Sequence, residues 1–268
     1  MPNKSAIRLI VSDLDATLLG SGRVLSPFTV ATLERCRAAG IRTAYATARS
    51  EQSCTRITAQ FAPDAMITNG GALARCQNLT LHCAALPADT ANAFARACAG
   101  NPHIRYLTAE TDAGYFVDRP VDLTHTDWRD YGHTIQRDFL REPFACAVYK
   151  FSVEIDDQAT ALALAAPFEN MDVLRFSGED WYRYAHTAAT KWQGLQALAR
   201  HWNIAPEHIA AFGDDYNDVE MLTHCGYGIA VENAIPACHA LARDRCGPNT
   251  GDGVAHWLVQ NVLAWRPE

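Results

Sequence analysis

The sequence predicts an α/β protein with a parallel β-sheet, interrupted by an inserted α+β unit. Short apolar runs alternate with helical stretches over residues 1–70 and again from Thr190 onward. The stretch between them, about 79–184, is richer in strand-like runs. Strand–helix–strand order at this spacing favours a parallel sheet with right-handed crossovers. We therefore assign residues 1–80 and 187–268 to the outer unit and 81–186 to the insert.

The first third of the chain supplies three predicted strands and two predicted helices. The strands are short, mostly apolar runs, as expected when both faces of a strand are buried, and lie at 7–12, 41–47 and 65–68. Ser26 and Pro27 are typical of an N-cap and first helical position, and Gly40 of a helix stop. A second helix is predicted over 50–61.

The insert mixes strand-like runs with two helical stretches. The strand-like runs lie at 104–107, 115–117, 145–154, 173–177 and 181–184. The last of these, Trp181-Tyr182-Arg183-Tyr184, has two interpretations, a ligand platform or core packing, and strand alternation favours packing for half of it. The outer unit then resumes, with helices predicted over 190–202, 217–224 and 253–265 and strands over 209–212 and 228–231.

Composition excludes several classes of protein. The 268 residues are 49% hydrophobic, enough to bury a core, which argues against a disordered chain. A net charge of −7 argues against wholesale binding of nucleic acid or an anionic membrane. No apolar run approaches the ~20 residues of a membrane helix or precedes the first charges as a signal peptide would. Nine cysteines without CxxC spacing indicate free thiols, so we expect a cytoplasmic protein.

Two acidic clusters each follow a predicted strand. Asp13 and Asp15 follow the first strand, and the strand at 209–212 precedes Asp214, Asp215 and Asp218. The carboxyl ends of parallel strands form the ligand crevice of open α/β sheets. Like charges placed there repel one another unless a cation lies between them. Carboxylate oxygens suit Mg²⁺, so the sequence predicts a magnesium site.

Two further positions carry groups suited to an anion. Thr47 and Ala48 follow the second strand and offer a hydroxyl and backbone amides beside a helix start. Lys191 lies near the start of a later helix. Taken alone, Thr47 is more typical of a helix cap, and Lys191 of an exposed helical lysine, than of an anion site. Their order relative to the acidic clusters favours an anion site beside the cation.

This ordered set resembles the haloacid dehalogenase (HAD) superfamily of aspartate-nucleophile phosphatases. Its four motifs are similar to, in order, Asp13–Thr17, Thr47, Lys191 and Gly213–Asp218. In position and length the insert resembles the type 2 cap of the Cof-type, sugar-phosphatase-like branch, as do Thr68–Gly71 and Asp252–Ala255. The resemblance implies a Rossmann-like parallel-sheet core carrying an inserted α+β cap domain that determines substrate specificity.

The resemblance also implies a role for each site residue. Asp13 would attack phosphorus, and Asp15 would protonate the leaving oxygen and then activate water. The Asp13 and Asp214 carboxylates and the Asp15 backbone carbonyl would bind Mg²⁺, with Asp218 orienting them from behind. The phosphoryl oxygens would be held by Thr47, Lys191, Asn217 and the backbone amides of Leu14 and Ala48.

These roles predict a Mg²⁺-dependent phosphohydrolase acting on a small phosphorylated metabolite, with a sugar phosphate as the expected substrate. Two alternatives remain open: a phosphomutase of the same superfamily and a non-catalytic phospho-accepting module. The family usually has glycine where this chain has Ala16, Ala48 and Trp192. The two alanines fit if their φ angles are negative, whereas Trp192 brings a bulky side chain to the expected floor of the pocket.

Overall fold

In a computed structural model of the chain, residues 7–122 and 134–263 are described. Their strands, in chain order, are β1 (Leu9–Ser12), β2 (Arg42–Ala46), β3 (Ala65–Thr68), β4 (Leu73–Cys76), β5 (Leu79–Cys83), β6 (Ile104–Thr111), β7 (Gly114–Val117), β8 (Thr134–Gln136), β9 (Lys150–Ile155), β10 (Met171–Arg175), β11 (Trp181–His186), β12 (Ile209–Gly213), β13 (Tyr227–Val231) and β14 (Asp244–Cys246).

The α-helices connect these strands or, in the case of the last one, follow them. In chain order they are α1 (Pro27–Ala38), α2 (Thr55–Thr58), α3 (Ala88–Cys98), α4 (Gln158–Ala165), α5 (Lys191–Trp202), α6 (Val219–His224), α7 (Pro236–Leu241) and α8 (Gly253–Leu258). Among the described helices, none combines the length and apolar character needed to cross a membrane.

The strands form two sheets. The larger sheet has the order β14-β13-β12-β1-β2-β3-β4-β5 and is parallel from β14 to β3, with β4 and β5 added antiparallel. The smaller sheet has the order β10-β11-β9-β6-β7-β8 and is mostly antiparallel. The predicted fold class, a parallel-sheet α/β core with an inserted α+β unit, is confirmed.

The centre of the larger sheet positions the acidic loops. Ser12 at the end of β1 pairs with Phe212 of β12 on one side and Tyr45 of β2 on the other. Because parallel neighbours end at the same edge, the loops that follow these three strands meet there. Both faces of β1 are buried, since Ile10 packs into one apolar cluster and Val11 into the other.

The smaller sheet uses its two faces differently. On one face, Phe151, Val153, Tyr182 and Tyr184 pack with side chains from α3 and α4 in an apolar cluster. Successive residues of a strand point to opposite faces, and Trp181 accordingly lies on the opposite face, in the wall of a cavity. Alternation thus divides the Trp181–Tyr184 segment between core packing and the cavity.

The predicted helix over 50–61 is wrong in extent. The structure has a 3₁₀ turn at Gln52–Cys54, followed by the single α-helical turn of α2. The hydroxyls of Ser53, Thr55 and Thr58 donate to backbone carbonyls three residues earlier. Such side-chain bonds offer the backbone an alternative to regular helix, and β-branched residues disfavour it further.

The β4–β5 hairpin and the exact ends of two elements differ from the predictions. The hairpin turns at Gln77, with φ 54°, and lacks the usual Asn-Gly signal, so it was not predicted.

The predicted unit boundary at residue 81 lies inside β5. The strand expected over 145–154 begins only at Lys150, and of the helix expected over 253–265, residues 264–265 lie outside the described part.

Candidate active site

The chain leaves β1 through Asp13 and turns at Ala16. Ala16 has φ 58° and ψ 5°, in the left-handed region. The condition of a negative φ is therefore not met at Ala16, whereas Ala48 is not among the residues with positive φ. A Cβ in the left-handed region is crowded by the following carbonyl. The Asn233 side chain supports the turn by donating to the Ala16 carbonyl oxygen at 2.8 Å.

Lys191 lies between two carboxylates at the carboxyl edge of the larger sheet. Its Nζ donates to Asp13 Oδ1 at 2.5 Å and to Asp218 Oδ1 at 2.6 Å, and all three side chains are buried. Burial alone would lower the pKa of Lys191, but the two adjacent negative charges outweigh it and leave the pKa raised. The interpretation of Lys191 as an exposed helical lysine does not fit this position.

The backbone position of Lys191 depends on Gly71. Gly71 has φ 106°, and a Cβ at this position would overlap the carbonyl group of Thr190. The Asn69–Gly71 loop therefore packs directly against the first residue of α5, which only glycine permits. The Thr190 hydroxyl caps that helix by accepting from the Gln193 amide at 3.2 Å. The close packing of Gly71 and the Thr190 cap together fix the start of α5 and so position Lys191.

Asp218 and Thr17 organise the second acidic cluster. Oδ2 of Asp218 accepts the backbone amides of Asp214 at 3.0 Å and Asp215 at 3.2 Å, so both of its oxygens are hydrogen-bonded. The hydroxyl of Thr17 donates to Asp214 Oδ1 at 2.5 Å and so joins the first acidic loop to the second. Asp218 accordingly orients the loop and the lysine.

Carboxylate oxygens of Asp13, Asp214 and Asp218 lie within 4.8 Å of one another. Burial, opposed by Lys191 and reinforced by the neighbouring acids, raises the pKa of Asp13 well above its usual value. Burial and the charge of Asp218 raise the pKa of Asp214 to about 7. One lysine thus faces three acids in a partly desolvated site. These carboxylate oxygens are the kind of ligand that Mg²⁺ prefers, and the charge of the ion would offset the excess negative charge of the acids.

The carboxylate of Asp15 points away from this cluster. Arg49 holds it in a bidentate contact, with Nε 2.7 Å from Oδ2 and a terminal nitrogen 2.6 Å from Oδ1. The Asp15 side chain is 48% exposed in that pair. The proton donation predicted for Asp15 would require this contact to open. Arg49 directly follows Thr47-Ala48, so the sequence places it beside the site. The sequence does not show that Arg49 pairs with Asp15.

Three predicted phosphate-binding positions have distinct surroundings. Thr47 is fully buried, and its hydroxyl accepts the Arg49 amide at 3.1 Å. Asn217 lines the cavity, and its Nδ2 is buried without a hydrogen-bond partner. A buried amide donor in that state favours a nearby acceptor. Leu14 is buried beneath the loop.

A cavity of about 830 Å³ lies between the two sheets. Its walls carry Asp13, Lys191 and Asp214 from the larger sheet and Tyr106, Lys150 and Trp181 from the smaller one. The ring of Trp192, in contrast, stacks on His224 with centroids 4.9 Å apart and is not part of the cavity lining. The bulk of Trp192 therefore lies away from the lining of this cavity.

Lys150 connects the smaller sheet to an active-site loop. Its Nζ donates to the Ala48 carbonyl oxygen at 2.6 Å and lies 3.0 Å from Glu110 Oε1. Both charged side chains are only 4% exposed. A second connection comes from the Ser177 amide, which donates to Asp215 Oδ2 at 3.3 Å. The smaller sheet thus contacts the loop after β2, which carries Ala48, and the loop after β12, which carries Asp215.

A sequence model of the haloacid dehalogenase-like hydrolases matches residues 10–258. The chain belongs to this family. The Escherichia coli 5-amino-6-(5-phospho-D-ribitylamino)uracil phosphatase YbjI is 24% identical over 96% of this chain and 97% of its own length. The E. coli pyridoxal phosphate phosphatase YbhA is 26% identical over 96% of this chain and 99% of its own. The HMP-PP phosphatase of Enterobacter sp. is 27% identical, with 97% and 99% covered.

Solved structures support the same fold for this haloacid dehalogenase-like hydrolase. A haloacid dehalogenase-like hydrolase from Bacteroides thetaiotaomicron has a TM-score of 0.82, 21% identity, and 95% and 99% of the two chains covered. The HAD subclass IIB sugar phosphatase BT4131 has a TM-score of 0.83 at 20% identity, with 94% and 98% covered. The recognition from sequence is confirmed, as is the enzyme class, a phosphoric monoester hydrolase.

In this haloacid dehalogenase-like hydrolase, the sequence-predicted positions meet at one end of the cavity. The carboxylates of Asp13, Asp214 and Asp218 converge on Lys191, and only the Asp15 carboxylate turns outward. Sequence reasoning missed the roles of Thr17, which lies within the first motif, of Arg49, which lies two residues after Thr47, and of Lys150. Lys150 had no sequence signal, because its contact depends on how the two sheets are placed.

Proposed function

We propose that this chain is a Mg²⁺-dependent phosphohydrolase that cleaves small phosphorylated metabolites, sugar phosphates included, through an aspartyl-phosphate on Asp13. The main support is the position of Lys191 between the buried Asp13 and Asp218, at the end of a cavity of metabolite size. Phosphoryl transfer depends mostly on positioning and on offsetting negative charge. Lys191 brings a cation directly to the carboxylate that would approach a phosphate dianion.

In the first step, a carboxylate oxygen of Asp13 attacks phosphorus while the bond from phosphorus to the leaving oxygen breaks. Asp15, once released from Arg49 and protonated from solvent, gives its proton to that oxygen. In the second step, Asp15 takes a proton from water as the water oxygen attacks phosphorus. The bond between Asp13 and phosphorus then breaks, so inorganic phosphate leaves and Asp13 is restored. Asp15 ends protonated, as it began.

The remaining residues hold the ion and the phosphate. The carboxylates of Asp13 and Asp214 and the backbone carbonyl of Asp15 would bind Mg²⁺, which supplies positive charge to offset the phosphate. Asp218 keeps Lys191 and the Asp214 loop in place. The phosphoryl oxygens would be bound by Thr47, Lys191, Asn217 and the amides of Leu14 and Ala48.

Replacing Asp13 and Asp15 with asparagine separates their two roles. With p-nitrophenyl phosphate, whose leaving group needs little protonation, we expect Asp15→Asn to release a burst of p-nitrophenol and then stall. Asp13→Asn lacks the nucleophile and should give no burst. Rapid-quench mass spectrometry should therefore find added phosphate on Asp15→Asn alone.

The proposed roles are wrong if Asp13→Asn carries the adduct, or if both variants turn over at similar residual rates. Isotopic water distinguishes hydrolysis from the mutase alternative in the unaltered enzyme. Hydrolysis places ¹⁸O from water in the released phosphate, whereas a phosphomutase would return the phosphoryl group to its substrate. Absence of both phosphate release and isomerised ester from every substrate would favour the phospho-accepting module.

The metal proposal has a readout that does not depend on activity. Mg²⁺ should raise the midpoint of thermal unfolding of the chelated protein, because it relieves repulsion among buried carboxylates. Asp214→Asn should remove most of that shift and nearly all activity, since one ligand charge is lost. Asp215→Asn, outside the carboxylate cluster, serves as the control. An equal Mg²⁺ shift in wild type and Asp214→Asn would contradict the assignment.

A further inference from the structure

The peptide bond between Ala48 and Arg49 is hydrogen-bonded through both of its polar atoms. Lys150 Nζ, on β9 of the smaller sheet, donates to the Ala48 carbonyl oxygen at 2.6 Å. On the other side of the same peptide group, the Arg49 amide donates to the hydroxyl oxygen of Thr47 at 3.1 Å. A continuous chain of hydrogen bonds therefore runs from a lysine of the smaller sheet to a threonine in the loop after β2.

The Thr47 hydroxyl ends this chain with a proton that it can still donate. A hydroxyl has one O–H donor and two acceptor lone pairs, and the Arg49 amide occupies one of those lone pairs. The Thr47 side chain is fully buried, yet within residues 7–122 and 134–263 no acceptor lies within hydrogen-bonding distance of its hydroxyl proton. A buried donor in this state favours an acceptor that a ligand supplies.

Glu110 holds Lys150 at the start of the chain. Its Oε1 lies 3.0 Å from Lys150 Nζ, and both side chains are only 4% exposed, so water does not compete for the ammonium group. A charged donor forms a stronger hydrogen bond than a neutral one, and hydrogen bonds in series polarise one another in a protein interior. Lys150 therefore strengthens the bond from the Arg49 amide to Thr47 and makes the Thr47 hydroxyl a better donor.

We propose that Lys150 is a positioning residue for the phosphate site. It fixes the Ala48–Arg49 peptide, which in turn orients the Thr47 hydroxyl to donate to a phosphoryl oxygen. This inference rests on the proposed phosphatase function and adds a requirement to it: the smaller sheet must contact the Ala48 loop for phosphate to bind at full strength. Because the charges of Lys150 and Glu110 cancel, the pair acts through orientation rather than through added net charge.

A double-mutant cycle with inorganic phosphate tests this chain of hydrogen bonds apart from catalysis. Phosphate dissociation constants are measured by ³¹P NMR in the presence of Mg²⁺. The combination Lys150→Met with Glu110→Leu leaves the net charge unchanged and should weaken phosphate binding about fivefold. Thr47→Val removes the hydroxyl, nearly preserves the shape of the side chain and should weaken phosphate binding about tenfold.

The decisive measurement is the protein that carries all three substitutions. It should bind phosphate within about twofold of Thr47→Val alone, because Lys150 acts through a hydroxyl that is already missing. Independent losses would instead multiply to about fiftyfold. Thr47→Ser is the conservative variant: it keeps the hydroxyl, so removing the Lys150–Glu110 pair in this background should again weaken phosphate binding about fivefold.

An exposed ion pair of the smaller sheet provides the matched control. Arg175 and Asp180 lie 3.1 Å apart and do not line the cavity, so Arg175→Met with Asp180→Ala should bind phosphate as the wild-type protein does. Circular dichroism and thermal unfolding check that each variant folds. If Lys150→Met with Glu110→Leu does not fold, Lys150→Gln with Glu110→Gln removes the same two charges and replaces it in the cycle.

Multiplicative losses, unchanged phosphate affinity after removal of the Lys150–Glu110 pair, or no binding of phosphate by the wild-type protein would overturn this role for Lys150. Failure of the proposed function has a different signature. In that case phosphate binds and the losses at Lys150 and Thr47 are coupled as expected, but the wild-type protein hydrolyses no phosphate ester.

Discussion

Two buried lysines face the same cavity from opposite sides, in different surroundings. Lys191, on the larger sheet's side, lies between Asp13 and Asp218. Lys150, on the smaller sheet, pairs with the single acid Glu110 and donates to the Ala48 carbonyl. The first arrangement leaves excess negative charge, whereas the charges of the second cancel.

This difference separates a group suited to chemistry from one suited to attachment. Burial, reinforced by the excess negative charge beside Lys191, raises the pKa of Asp13 and Asp214, a state that a cation and a phosphate-transfer reaction can use. Burial also raises the pKa of Glu110, but the adjacent Lys150 opposes this shift. The charges of Lys150 and Glu110 cancel within the pair. The Lys150 ammonium group still has an N–H group that it donates to the Ala48 carbonyl oxygen.

The largest expected effect is at Lys191. Lys191→Met leaves two buried carboxylates without their cation, so we expect activity to fall at least a thousandfold. The free energy of unfolding of the chelated protein should fall by roughly 3–5 kcal/mol. Lys191→Arg keeps the charge in a larger, planar group and should lose less of both. Steady-state kinetics and urea unfolding measure the two effects. Equal, mild losses in both variants would contradict the central role of Lys191.

An intermediate effect is expected at Lys150. Lys150→Met strands the buried Glu110, so stability should fall by roughly 3 kcal/mol. The double variant Lys150→Met with Glu110→Leu removes both charges and should recover most of that loss. Both variants lack the contact with Ala48, so we expect both to have a higher KM than the wild-type enzyme. If the double variant were as unstable as Lys150→Met, charge pairing would not explain the effect.

The smallest effect is expected at Ala16. Ala16→Gly relieves the left-handed backbone and should raise the free energy of unfolding by about 1 kcal/mol. Ala48→Gly is the matched control and should lower it by about 0.5–1 kcal/mol, since Ala48 has no positive φ and glycine only adds freedom to the unfolded chain. Chemical unfolding of both variants measures the difference. The same sign for both substitutions would contradict the strain at Ala16.

The parallel centre of the larger sheet, from β13 to β3, and the cluster around Lys191 could be predicted from the sequence, because their signals are local. Asp13 and Asp214 directly follow strands that pair in parallel, so strand order alone brings them to one edge. Ser26 and Pro27 gave the start of α1 correctly, and the Ser26 hydroxyl accepts the Thr29 amide at 3.0 Å. Local patterns therefore predict the elements and the site that they carry.

The features that were missed depend on long-range geometry. The contact of Lys150 with Ala48 spans the two sheets, and Arg49 engages Asp15 through side-chain conformations that no spacing encodes. The left-handed φ of Ala16 conflicts with its residue type, so propensity predicts the wrong sign. The Trp192 ring stacks on His224 because α5 packs against the apolar cluster on that face of the larger sheet.

Gly71 shows how a residue without a functional group can decide whether the enzyme works. It has no side chain to bind substrate, yet a single methyl group there would displace Thr190 and, with it, the first residue of α5. We therefore expect the Gly71→Ala enzyme to lose activity as a Lys191 variant does, although every proposed catalytic residue is still present. In interpreting inherited or selected variants of this enzyme, position 71 belongs with the proposed active-site residues.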